Sequence, residues 1–212
     1  MSYLLEYPDR VWELFLEHLQ LTAFSLGIAL AIAIPIGILL ARRNSLQGPI
    51  LGLLSILYTI PSLALFVILI PIFGLGVDNG VTALVIYAQV ILVRNIVAGL
   101  EGVPGSVIEA ARGMGMSPWQ VFRKVEVPLA MPVVLAGLRV ATLSTVGIGT
   151  IAAYVNAGGL GRLLFDGIQQ SNPDKIIAGA LAVSLLAIGI NLLLRLAENR
   201  ATRATHRRTF AY

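Results

Sequence analysis

Leu19–Ala41 is an apolar run without a single charged side chain, and the dibasic pair Arg42-Arg43 follows it at once. About 20 apolar residues of helix cross the hydrocarbon core of a bilayer. In lipid a single segment can satisfy its backbone polar groups only as an α-helix. This run therefore restricts the chain to an all-α membrane protein before any other feature is read. Composition agrees: 57% of residues are hydrophobic and 12% charged, against about 25% charged in a soluble domain.

The other spans follow from the same criterion. Ile50–Phe73 reads as a second span, kinked around Pro61 and Pro71, with Tyr58, Thr59 and Ser62 near the kink. Gly74–Gly80 reads as a short external turn with Asp78 and Asn79 at its tip. Val81–Leu100 returns as a third span carrying Gln89, Arg94 and Asn95 in its second half. A fourth runs from about Met131 to Tyr154, with Ala141, Thr142, Ser144, Thr145, Gly147, Gly149 and Thr150 as small residues that allow close helix contact. The external segment Asn156–Asp174 contains Ala157-Gly158-Gly159-Leu160-Gly161, a tight or re-entrant turn with no Lys-Ser/Thr to complete a phosphate loop. Ile176–Leu196 is the fifth span, followed by Arg200, Arg203, Arg207 and Arg208.

Charge then orients the bundle. Basic residues mark the cytoplasmic side, so Arg42-Arg43 and the basic tail, residues 197–212, both place their ends inside, with the N-terminus outside. Residues 8–18 present Val11, Trp12, Leu14, Phe15 and Leu16 largely opposite Asp9, Glu13 and Glu17, which reads residues 1–18 as an external, interfacial helix. Acidic Glu6, Asp9, Glu13 and Glu17 and the lack of a basic leader give no expectation of a cleavable signal peptide. The formal charge of +4 forms no continuous patch, which argues against nucleic acid. The absence of cysteine excludes disulfides and thiol chemistry. His18 and His206 fall on opposite sides of the membrane and cannot form one site. With no internal repeat or linker, residues 1–212 read as one membrane domain.

One polar island interrupts this pattern in the cytoplasmic loop, residues 101–130. Ser106–Glu109 and Ser117–Gln120 both fit a capping box, Ser at the N-cap with Glu or Gln three residues on. Pro118 suits a first helical position, Gly113 and Gly115 stop the first helix, and Pro128 closes the second. The local pattern is helix, glycine break, helix, proline stop.

Glu109-Ala110-Ala111, then Gly115, then Val125-x-Val127-Pro128 resembles the EAA signature of permease subunits of bacterial ABC importers, with valine at both aliphatic positions. Ile60–Leu65, Ile70–Gly76, Val93-Arg94-Asn95 and Ala157–Gly161 further resemble the permeases of importers for glycine betaine, carnitine, choline and related osmoprotectants. The resemblance implies a type I ABC importer permease fold of about five transmembrane helices in the bacterial cytoplasmic membrane. It implies that the loop couples to a separate ATP-binding subunit through Glu109, Ala110, Ala111, Arg112, Gly115, Met116, Trp119, Phe122, Val125 and Pro128. It also implies an extracytoplasmic solute-binding protein, a second permease copy, identical or similar, and ATP with Mg on the partner ATPase rather than a cofactor on this chain. Met114, Met116, Trp119 and Phe122 are the side chains suited to a partner groove.

Candidate translocation-path residues are Tyr58, Pro61, Ser62, Arg94, Asn95 and Thr145. Tyr58, Tyr87 and Tyr154 offer aromatic faces of the kind that bind quaternary ammonium groups, though membrane-interface and core roles are commoner for such residues. The same machinery importing methionine or a sulfonate, and a membrane scaffold that transports nothing, are the alternatives left open by the loop.

Overall fold

The computed structural model describes the backbone of residues 2–209, without the side chains of 2, 4, 197 and 200–209. Every regular element among the described residues is helical. A short α1 (Ser2–Glu6) precedes α2 (Pro8–Arg42), α3 (Asn44–Thr59), α4 (Ser62–Phe73) and α5 (Val77–Glu101). The loop helices α6 (Gly105–Gly113) and α7 (Pro118–Val121) come next, then a π-turn at Phe122–Glu126 and α8 (Val127–Gly149). A 3₁₀ turn at Ile151–Val155, α9 (Gly161–Gln169) and α10 (Pro173–Thr209) complete the chain.

Among the described residues, four segments are long and apolar enough to cross a membrane, and a fifth if α3 and α4 together form one broken span. The centre is α5, whose two sides are covered by α2 and α8 and whose flank takes α3 and α4. Leu84, Val93, Ala29, Ala33 and Phe66 are wholly enclosed there. At Gly137 α8 lies tight against α5: a Cβ on it would lie 2.2 Å from the Cβ of Asn95. A second cluster of Leu14, Val146, Leu160, Leu163 and Leu186 ties the start of α2 to α8, α9 and α10.

Several expectations change. The second span is not one kinked helix, because α3 and α4 meet at 99°. Ile60 precedes Pro61 and is extended, φ −62° and ψ 127°, in line with the proline ring disfavouring the helical region for the residue before it. With Pro61 itself at ψ 136°, two consecutive residues leave the helix. Residues 8–18 are the first turns of α2 rather than a separate interfacial helix. Leu14 and His18 are buried against the bundle, so this stretch is already held by packing.

Asn79 is not at an exposed tip. It is buried in the first turn of α5, where its Nδ2 donates to the carbonyl of Phe66 within α4 (3.1 Å) and to that of Gly74 just past its end (2.9 Å). Regular α-structure in the fourth span ends at Gly149, and Ile151–Val155 tighten into 3₁₀ geometry. The basic tail continues α10, and the side chains of Arg200, Arg203, His206, Arg207 and Arg208 lie outside the described residues.

Candidate functional site

The loop is built from two different helix stops. Helix α6 ends with the Met116 amide donating to the Ala111 carbonyl (3.2 Å) and the Gly115 amide donating to that of Arg112 (2.9 Å). Those two bonds make a Schellman motif with Gly115 at its left-handed position, φ +82°. Ala111 is 2% exposed beneath that turn. The spacing from Ala111 to Gly115 is thus the distance between a helix's third-last residue and its left-handed stop, a physical reason for small alanine and glycine at those positions.

Ser117 opens α7 with a full capping box. Its Oγ accepts from the Gln120 amide, and Gln120 Oε1 accepts from the Ser117 amide at 2.8 Å. Ser106 forms no such box: α6 starts one residue earlier, after Pro104, without a side-chain cap. Pro104 is extended and fixes the start of the helix through its backbone, φ −58° and ψ 130°, leaving Ser106 inside the first turn.

Pro128 does not close the second helix. The chain passes from Pro118 to Gly149 as one continuous helical segment. The π-turn makes this feasible: the Val127 amide reaches back to the Phe122 carbonyl. A wider turn leaves room where a proline ring would otherwise collide with the preceding turn. Consequently α7 runs on into the transmembrane helix α8 without a break.

Glu109, Ala110, Arg112 and Gly115 lie exposed on this loop. Met114 and Trp119 are the most open large apolar side chains of the loop, at 72% and 65% exposure. Met116, Val125 and Pro128 are half-buried. Phe122 is half-buried too, with its ring centroid 5.6 Å from that of Trp119 and 5.6 Å from the Arg42 guanidinium carbon. Of the four side chains expected to seek a partner groove, Phe122 is therefore partly engaged within the chain.

A residue outside the expected set lies beneath them. Glu126 is 4% exposed and is held by Arg42, whose Nη1 donates to Oε1 at 3.2 Å and whose Nη2 donates to Oε2. Nearby, Gln47 donates to the Leu40 carbonyl at 3.1 Å and to Glu101 at 2.5 Å. A second missed pair joins Arg139 of α8 to Glu198 of α10 at 3.0 Å. An arginine inside an apolar span calls for an acid partner, and Glu198 is the one acidic residue after Asp174.

The candidate path residues do not form one cluster of contacts. Tyr58, Pro61 and Ser62 meet at the α3–α4 break, where Tyr58 packs edge-on against Tyr87 at 5.7 Å and the Tyr87 hydroxyl donates to the Ile60 carbonyl. Arg94 is exposed and donates to the Ser55 hydroxyl at 2.6 Å. Asn95 donates to the Ile91 carbonyl and abuts Gly137. Thr145 is buried, its hydroxyl donating to the Ala141 carbonyl at 2.8 Å. Tyr154 lies 5.9 Å from Phe165, away from Tyr58 in the chain and on the external loop side.

Residues 33–203 match the model of the family described as binding-protein-dependent transport system inner membrane component. The chain belongs to that family. It is 43% identical over 199 residues to the osmoprotectant import permease protein OsmW of Salmonella typhimurium, covering 92% of this chain and 93% of the relative. It is 36% identical to the glycine betaine/carnitine/choline transport system permease protein OpuCB of Bacillus subtilis, covering 88% of this chain and 86% of the relative. Among solved structures, a chain of the inward-facing MetNI methionine ABC transporter superposes with a TM-score of 0.79 at 25% identity, covering 97% of this chain and 99% of that one. This permease is therefore an all-helical, multi-pass inner-membrane transport subunit of the type I ABC importer fold.

Proposed function

We propose that this permease imports a compatible solute of the glycine betaine, carnitine or choline type, driven by a separate ATP-hydrolysing subunit seated on the loop between α5 and α8. The reading rests above all on the continuity of α7 with α8. A partner that moves the loop necessarily moves a transmembrane helix with it, and such rigid-body motion is how a conformational change at one face opens another. Support for the partner comes from Met114 and Trp119, apolar side chains that stand open on a face the bilayer does not cover. Support for the solute comes from the names carried by relatives at 36–43% identity.

On this reading Glu109, Arg112 and Gly115 present a polar, turn-defined edge to the ATPase while Met116, Trp119 and Phe122 fill its groove. A solute-binding protein delivers the solute outside, and a second permease, identical or similar, completes the pathway. ATP and Mg are held by the ATPase.

The test is uptake by vesicles containing the permease, its ATPase and its binding protein, with radiolabelled glycine betaine, carnitine, choline and methionine compared in parallel. ATP-dependent accumulation of a quaternary ammonium solute is expected. Accumulation of methionine alone would replace the solute assignment while leaving the coupling scheme intact. No flux of any solute with all subunits present would favour a scaffold.

A further inference from the structure

Two acidic residues stand at the two stems of the coupling loop. Glu101 is the last residue of α5, where the loop begins, and Glu126 is the last residue of the π-turn, where it ends. Both are held by one short stretch of chain, the corner between α2 and α3. Arg42, the final residue of α2, forks onto Glu126, and Gln47, in the first turns of α3, reaches Glu101. Gln47 also bonds the Leu40 carbonyl, which locks the corner onto the end of its own preceding helix.

We propose that this corner is a staple across the coupling loop, and that the Arg42–Glu126 pair is the positioning contact that carries the loop's movement into α2. The proposal rests on the importer reading above and adds a second route by which loop motion enters the membrane, beside the continuous helix α7–α8.

Three features make the pair suited to that task. Its geometry is two-pronged, with separate guanidinium nitrogens on separate carboxylate oxygens, which resists rotation as a single-point contact does not. Its acidic member is buried, so parting the pair would strand a carboxylate away from water. The Arg42 guanidinium also lies over the Phe122 ring, 5.6 Å from its centroid, so both the charged and the apolar parts of the π-turn hold the same side chain. Arg43, next in sequence, has its side chain exposed and holds the corner through its backbone, its amide donating to the Leu40 carbonyl and its carbonyl accepting from the Leu46 amide.

The experiment uses the full complex in proteoliposomes and reads ATP hydrolysed per solute imported. Arg42→Gln and Arg42→Lys are expected to raise that ratio about tenfold, the size of an ordinary coupling between sites, because lysine cannot reproduce the fork. Arg43→Gln serves as the control and is expected to leave the ratio within about twofold of wild type. A wild-type ratio in both Arg42 variants overturns the staple, as does an equal rise in Arg43→Gln, which would assign the effect to charge at the membrane border.

Should the Arg42 variants fail to assemble, a second arm decides. The chain has no cysteine, so Arg42→Cys with Glu126→Cys can be joined by a short bis-maleimide. Restored uptake on joining supports the proposal, whereas uptake abolished only on joining shows that the two residues part during the cycle and overturns it. A wild-type complex without ATP-driven uptake overturns the importer reading, and the staple with it. Wild-type uptake with unchanged variants overturns the staple alone.

Discussion

The Glu17 carboxylate accepts a hydrogen bond from the Gly159 amide at 2.9 Å, joining the first turns of α2 to a loop far along the chain. His18 lies alongside, fully enclosed, with Nε2 3.1 Å from the Val146 carbonyl. The amide of Gly76 donates to the Val155 carbonyl at 2.7 Å and ties the same region to the α4–α5 turn. The external end is therefore closed by contacts to backbone atoms, which depend on loop shape more than on side-chain identity.

Replacing Glu17 tests this closure. Glu17→Ala is expected to lower the unfolding free energy in detergent by about 1–3 kcal/mol, the range for a hydrogen bond to a charged group. Glu17→Gln keeps an acceptor and should cost less. Equal thermal stability of wild type and Glu17→Ala would show that the contact contributes nothing.

Gly115 separates turn geometry from space. A Cβ there would meet nothing within 4 Å, yet its φ is +82°. Gly115→Ala should therefore cost about 1–2 kcal/mol through backbone strain alone, and Gly115→Asn less, since asparagine tolerates the left-handed region. The measurement is binding of the ATPase subunit to permease in detergent, with weakening expected in the order Ala over Asn.

Gly137 and Gly147 lie on the same helix and should respond oppositely. At Gly137 an added methyl collides with Asn95, whereas Gly147 has open space. Gly137→Ala is expected to destabilise by about 1–3 kcal/mol through overpacking, and Gly147→Ala to be neutral or stabilising by about 0.5–1 kcal/mol. Melting temperatures of the two variants, measured side by side, check the α5–α8 contact.

Arg139 and Glu198 should behave as a pair. Arg139→Leu removes a basic partner of the acid on α10 and Glu198→Gln removes the charge that faces the arginine within an apolar helix, each expected to cost about 1–3 kcal/mol. The double variant Arg139→Leu with Glu198→Leu should recover part of that loss. Additive losses in the double-mutant cycle would mean that the two residues do not support one another.

Much of the architecture could be read from residues near in sequence. The spans of α2, α5, α8 and α10 follow from apolar length, and the Ser117 box and Gly115 stop follow from residues at most five apart. The misreadings share one cause. Pro61 was legible as a disturbance but not as a 99° break, since the angle depends on what α4 packs against. Pro128 reads as a terminator until the π-turn before it absorbs the ring. Ser106 fits a capping pattern that Pro104 pre-empts. Each is a local signal with two structural outcomes, and packing selected one.

What the sequence determined by itself was the solvent, the course of the helices, and a loop of two helices with fixed stops. Bilayer length, backbone satisfaction and turn chemistry act over a few residues and leave few alternatives. Tertiary structure alone decided the partners: Arg42 for Glu126 across 84 positions, Glu17 for Gly159 across 142, and Glu198 for Arg139. Such pairs depend on which helix ends are brought together, and that follows from the packing of α2 and α8 against the two sides of α5.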